Sequence, residues 1–166
     1  EHPPNARFCG NCGMQLAAAP AAAPTVSAAI ERRHMTFMFC DLVGSTAMAE
    51  HRDDDDFREL LAGYYDVAKT VVALYGGVIQ KFIGDAVMAV WGTPRALEDD
   101  AGRAVRAALE LVDSVAAYGQ RVGHTGLAAR AGVVTGRAAA VDDPDVIVVG
   151  DRVNTAARVQ SAAEAG

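Results

Sequence analysis

Apolar residues run almost unbroken from Met35 to Cys40, the pattern of a buried strand, and the run ends on a carboxylate, Asp41. From Asp53 to Tyr75 the spacing becomes helical, with Phe57, Leu60, Leu61, Tyr64, Tyr65, Ala68, Val71, Val72 and Tyr75 on one face. Gly76-Gly77 closes that helix as a C-terminal glycine does. Val78–Ile83 and Ala86–Trp91 then read as two strands of a hairpin turning at Gly84-Asp85. A second helix is predicted from about Glu98 to Arg121, its inner face carrying Ala101, Val105, Ala108, Leu109, Val112, Val115 and Ala116. Leu127–Thr135 and Ala138–Val141 follow as extended segments. Asp142–Asp145 reads as a turn, Asp145–Val149 as a short strand, and Arg152–Ala163 as a last helix. Strands alternating with helices predict an α/β or α+β sandwich with one helical layer.

The first 30 residues do not share this pattern. Residues 1–16 hold Cys9-Gly10-Asn11-Cys12-Gly13, a C-x-x-C knuckle that is similar to half of a zinc ribbon. A closed tetrahedral site needs four ligands, and Cys9 and Cys12 supply two, so Zn²⁺ is expected only if further ligands lie upstream. Residues 17–30 are nearly all Ala and Pro and read as a semi-extended linker. The domain proper is therefore expected over residues 31–166.

With 166 residues, 51% of them hydrophobic, the chain can bury one core beside a short appendage. A formal net charge of −6 argues against a general nucleic-acid surface. No apolar stretch has the length of a membrane helix, and no signal-peptide pattern opens the chain. Three cysteines make no disulfide framework, so a reducing cytoplasm is the expected compartment. Cys40 is read as a core residue.

Candidate chemistry concentrates in three places. In Phe39-Cys40-Asp41-Leu42-Val43-Gly44-Ser45-Thr46 a strand-end carboxylate precedes a small-residue turn opening a helix. Such a turn presents backbone N–H groups suited to phosphate, and the carboxylate suits a hard divalent cation. Ile83-Gly84-Asp85-Ala86 supplies a second carboxylate between apolar strands. Val149-Gly150-Asp151-Arg152-Val153-Asn154-Thr155-Ala156-Ala157-Arg158 places Asn154 and Arg158 one turn apart on a helix. Taken in this order, the three segments resemble a class III nucleotidyl cyclase catalytic domain, over about Glu31 to Gly166.

The resemblance implies a ferredoxin-like, palm-type antiparallel sheet with helices. It implies too that the domain continues past Gly166, so that the C-terminal strands and a late phosphate-binding lysine are missing here. It makes Asp41 and Asp85 the ligands of two Mg²⁺ or Mn²⁺ ions, and the backbone of Leu42, Val43, Gly44, Ser45 and Thr46 a cradle for the β- and γ-phosphates. Arg130 matches a triphosphate-binding arginine; Asn154 orients the ribose, and Arg158 neutralises charge on the α-phosphate. Lys81 stands where adenylyl cyclases carry an adenine-binding lysine and guanylyl cyclases a glutamate. Its usual polar partner falls at Ile147, which cannot accept a hydrogen bond from the adenine amino group. The expected activity is therefore conversion of ATP to 3′,5′-cyclic AMP and pyrophosphate in intracellular signalling, with GTP as the second substrate candidate. The family builds its sites between two domains, so a head-to-tail homodimer is expected. The alternative from a different class is a non-catalytic cyclase-homology module for regulation or dimerisation.

Overall fold

The computed structural model describes residues 31–50, 53–140 and 151–165. The knuckle at Cys9 and Cys12, the linker, Ile147 and the strand read over Asp145–Val149 lie outside the described residues. The order is β1 (Glu31–Leu42), α1 (Ser45–Glu50), α2 (Asp54–Leu74), β2 (Val78–Ile83), β3 (Ala86–Trp91), α3 (Asp100–Arg121), β4 (Ala129–Ala140) and α4 (Asp151–Ala162). The four strands form one antiparallel sheet in the order β2-β3-β1-β4. With α2 and α3 as the two connections, this is the ferredoxin-like βαββαβ arrangement expected from the sequence.

Side-chain alternation along β1 divides the interior in two. Met38, Cys40 and Leu42 turn toward α2 and α3, joining Leu60, Tyr64, Trp91 and Leu111 in the larger core. Met35, Phe37 and Phe39 turn to the other face, where they meet Met88, Val90 and Ala156 of α4. The sheet is thus covered on both faces, and the single helical layer expected from the sequence is a correction: α4 forms a second one. Trp91 is buried as expected, and its indole N–H donates to the Tyr75 carbonyl at 2.9 Å. Asp53 caps α2 by accepting from the Asp55 N–H at 3.0 Å, which accounts for the acidic run beginning there.

Two other elements differ from expectation. β4 is one continuous strand through Gly136 because every residue from Ala129 to Ala140 pairs with β1. The inner face of α3 is also displaced. It buries Ala104, Ala107, Ala108, Leu111, Val115 and Tyr118, whereas Val105 and Leu109 are 47% and 65% exposed. The alanines at 104 and 107 weigh little in a hydrophobicity pattern, so the adjacent stripe of larger residues looks stronger than the one that packs.

Small residues let α4 lie close on β4. A Cβ at Gly132 would stand 2.3 Å from the Gln160 backbone nitrogen and 2.7 Å from its Cα. One at Gly136 would meet the Arg152 side chain at 2.9 Å. The first neighbour is helix backbone, which cannot step aside without moving α4. Gly132→Ala is therefore expected to destabilise the domain by about 1–3 kcal/mol, as overpacking does. Gly136→Ala meets only a flexible arginine stem and should cost less, a ranking that thermal melts of the two variants will check.

Candidate active site

β1 carries Asp41 on the α4 side of the sheet, one alternation beyond Phe37 and Phe39. The β1–β4 register sets Arg130 directly opposite Asp41, so both side chains share that face. Arg130 Nη2 lies 3.3 Å from Asp41 Oδ2, and Nη1 donates to the Ser161 carbonyl at 3.4 Å. A second donor reaches the same oxygen: the Gln160 side-chain amide, 3.4 Å away.

Asp85 arrives from the β2–β3 hairpin. Gly84 turns the chain at φ +59°, a left-handed conformation that glycine adopts without a Cβ penalty. The Tyr65 hydroxyl of α2 donates to the Gly84 carbonyl, and the Tyr65 ring sits 4.3 Å, centroid to centroid, from Phe82 on β2. The turn is thus tied to the helix that packs beneath it. Its carboxylate hydrogen-bonds to Asp41, to Ser45 and to the Leu42 backbone. The outcome is two carboxylates in direct contact, from separate strand ends, beside the start of α1.

Their electrostatics follow from that contact. Burial, the hydrogen bond with Asp85 and that residue's charge push the Asp41 carboxyl up, against the opposing pull of Arg130. For Asp85, burial pushes up as well, but its hydrogen bonds from Asp41, Ser45 and backbone outweigh it and hold the carboxyl low. The cost of charging the pair therefore falls on Asp41. Two like charges this close repel, and a cation between them would relieve that cost. The chain's own residues fit such a cation: Asp85 Oδ2 is buried and has no hydrogen-bond partner, and hard divalent ions take carboxylate oxygen. Among the described residues no group of three or more His, Cys, Asp and Glu comes together. Neighbouring Cys40 takes no part; burial pushes its thiol up to about 12, leaving it a neutral core residue.

The turn after Asp41 is partly engaged. The Val43 N–H donates to the Ala128 carbonyl at 2.9 Å and the Leu42 N–H to Asp85, which leaves Gly44, Ser45 and Thr46 of the five residues expected to face phosphate. Gly44, at φ +73°, leads into Ser45 and Thr46, whose N–H groups open α1 and have no intrahelical acceptor.

The remaining expected residues do not join Asp41 in the same chain. Ala156 and Gln160 are the buried positions of α4, facing the sheet, whereas Asn154 and Arg158 are exposed. Each of the latter is two positions, or about 200° of helix rotation, from the sheet-facing pair. Lys81 is exposed on β2, at the edge of the sheet opposite β4. Residues that the sequence reading missed are Gln160, which touches Asp41, and Tyr65, which holds the Gly84 turn. Tyr65 was legible only as a core-facing helix position, and Gln160 gave no signal beyond its place two residues after Arg158.

In chelator, the raised Asp41 carboxyl binds its proton more tightly in the folded chain than in the unfolded one. Its contribution to stability is present at low pH and falls as pH rises above the ordinary carboxylate range. The lowered Asp85 acts oppositely, losing its contribution as pH falls below that range. Melting temperatures of the metal-free chain are therefore expected to decline as pH rises above the ordinary carboxylate range, by a component absent from Asp41→Asn. An Asp41→Asn melt that runs parallel to the parent would contradict the raised Asp41 carboxyl.

Three comparisons bear on what this site belongs to. The family described as "Adenylate and Guanylate cyclase catalytic domain" matches residues 28–166. Adenylate cyclase 1 of Rhizobium meliloti (strain 1021) is 32% identical over 137 residues, covering 78% of this chain and 21% of that protein. An uncharacterized protein of Mycobacterium tuberculosis (strain ATCC 25618 / H37Rv) is 33% identical over 130 residues, 78% of this chain and 24% of that protein. The chain thus spans less than a quarter of the length of these two relatives. Among solved structures, the adenylyl cyclase CyaB from P. aeruginosa superposes with a TM-score of 0.75 at 30% identity, over 82% of this chain and 75% of that one. The guanylyl cyclase Cya2 does so with a TM-score of 0.75 at 28% identity, over 82% and 73%. Among the described residues no helix is long and apolar enough to cross a membrane. With the ferredoxin-like sheet, the paired carboxylates and a match from residue 28 to residue 166, the chain belongs to the adenylate and guanylate cyclase catalytic domain family.

Proposed function

We propose that this chain is the catalytic unit of an adenylyl cyclase that converts ATP to 3′,5′-cyclic AMP and pyrophosphate, at sites shared between two copies of itself. In this reaction the ribose 3′-oxygen forms a bond to the α-phosphorus, the 3′-hydroxyl proton leaves, and the bond to the bridging oxygen breaks with pyrophosphate carrying away the electron pair. Two Mg²⁺ or Mn²⁺ ions, when bound, supply Lewis-acid stabilisation of the 3′-alkoxide and of the triphosphate charge. Asp41 and Asp85 hold them. Gly44, Ser45 and Thr46 offer backbone N–H groups to the β- and γ-phosphates, and Arg130 turns from Asp41 to the triphosphate. Asn154 orients the ribose while Arg158 meets the charge developing on the α-phosphate, a role in which fixed charge is worth several kcal/mol.

The observation that supports this reading most is the division of α4. The stripe containing Ala156 and Gln160 lies on the chain's own sheet, and Asn154 and Arg158 project away from it. Residues so placed serve the Asp41–Asp85 pair of a second copy, not their own, which favours a head-to-tail homodimer. Lys81, exposed on β2, favours adenine over guanine. Ile147 favours a second reading, relaxed choice between ATP and GTP, because an aliphatic side chain cannot read the base by hydrogen bonding.

Assay of both cyclic nucleotides with Mn²⁺ tests the reaction. Cyclic AMP should form from ATP in excess of cyclic GMP from GTP, and Asp85→Ala should abolish both. Arg158→Ala should lower kcat by about 10²–10³. Each of these variants is damaged on a different half of the shared site. An equimolar mixture of the two should therefore recover about a quarter of parental activity, since half the dimers regain one intact site. No recovery from a mixture shown to form mixed dimers would overturn the shared-site arrangement, and a dominant cyclic GMP product would reverse the assignment of Lys81.

A further inference from the structure

Gln160 has a place that packing alone does not explain. It is 5% exposed, on the stripe of α4 that rests against β4, where its neighbours on the interface are Ala156 and Gly132. An amide buried there costs free energy unless it is hydrogen-bonded. Its side-chain Nε2 finds Asp41 Oδ2 at 3.4 Å, the oxygen that Arg130 also contacts at 3.3 Å. Both distances are long, as hydrogen bonds around a site often are before the ligands that tighten them arrive.

We propose that Gln160 is a positioning residue for Asp41, holding one carboxylate oxygen from α4 so that the group keeps its orientation toward a divalent cation. This rests on the reading of Asp41 as a metal carboxylate. Two donors on one oxygen fix the rotation of the carboxylate, but they differ in kind. Arg130 brings a full positive charge that competes with a cation for Asp41, and in the proposed reaction it turns to the triphosphate. Gln160 is neutral and anchored by its backbone, which sits so close to Gly132 that no Cβ fits between them. It therefore remains as a donor to Asp41 after Arg130 has left, and it withdraws no charge from the ligand. Outer hydrogen bonds of this type set the orientation of metal ligands, and losing one typically weakens metal binding about 10–100-fold.

The test is Mn²⁺ binding by electron paramagnetic resonance, alone and with 3′-deoxy-ATP or 3′-deoxy-GTP, which bind without cyclising. Gln160→Met keeps length and burial but removes the donor; Gln160→Asn keeps the amide but shortens it out of reach. Both are expected to weaken Mn²⁺ binding at least about tenfold. The Mn²⁺ concentration for half-maximal activity should rise in step, with the nucleotide KM within about twofold of the parent. If Gln160→Met does not fold, Gln160→Asn decides. A folded variant with a lowered melting temperature but parental Mn²⁺ affinity would assign Gln160 to packing and overturn the inference. Asp41→Ala separates this result from failure of the underlying reading. Binding lost in Asp41→Ala but unchanged in the Gln160 variants rejects only Gln160's role, whereas a parent that binds no Mn²⁺ under any of these conditions rejects both.

Discussion

The contact between Asp41 and Asp85 is the constraint around which the rest of the domain is arranged. Two carboxylates brought together repel, and burial raises the cost of ionising each. The fold accepts that cost because every partner of the pair is fixed by a different element. Arg130 comes from β4 through strict register, Ser45 from the start of α1, and the Gly84 turn from a hairpin held by Tyr65. None of these donors neutralises the pair completely, as the raised Asp41 carboxyl and the partnerless Asp85 oxygen show. The pair is left short of positive charge, which is what the proposed role of holding a divalent cation requires.

The same logic reaches the helix on the other face of β1. Had β4 carried larger side chains at positions 132 and 136, α4 would stand farther off and its amide could not meet Asp41. Glycine here acts by absence of volume, and its consequence is electrostatic: it brings a neutral donor within reach of the Asp41 carboxylate. Arg130 then links the two strands and the helix, through Asp41 on one side and the Ser161 carbonyl on the other. Sheet register, helix docking and ligand orientation are in this way one structural problem.

How much of this was legible in the sequence depended on whether the signal was local. Asp41 and Asp85 could be singled out because each adjoins an apolar strand at a turn and the segments that carry them, with the Asn154–Arg158 segment, resemble a cyclase domain in the same order. The hairpin and α2 were equally clear from period and glycine placement. The face of α3 was misread because its packing stripe is built of alanine at 104 and 107, beside an exposed stripe bearing Val105 and Leu109. Placement of α4 on the second face was not legible, since periodicity tells which side of a helix is buried but not against which side of a sheet. Gln160 shows the same limit. A glutamine in a helix looks solvated until β4 is known to hold glycine beneath it.

The direction in which α4 faces also decides what a single chain can do. An i, i+4 pair such as Asn154 and Arg158 has one shared direction, and the helix that carries it is committed by Ala156 and Gln160 to its own sheet. Turning Asn154 and Arg158 toward the chain's own Asp41 would expose the apolar stripe and lift Gln160 from Asp41 at the same time. Under the proposed shared site, a monomer therefore completes the carboxylate half or presents the α4 half but does not unite them. Association of two copies would resolve that conflict without moving either helix. On the proposed reading, the need for a partner would then come from packing within each protomer, before any contact between protomers is considered.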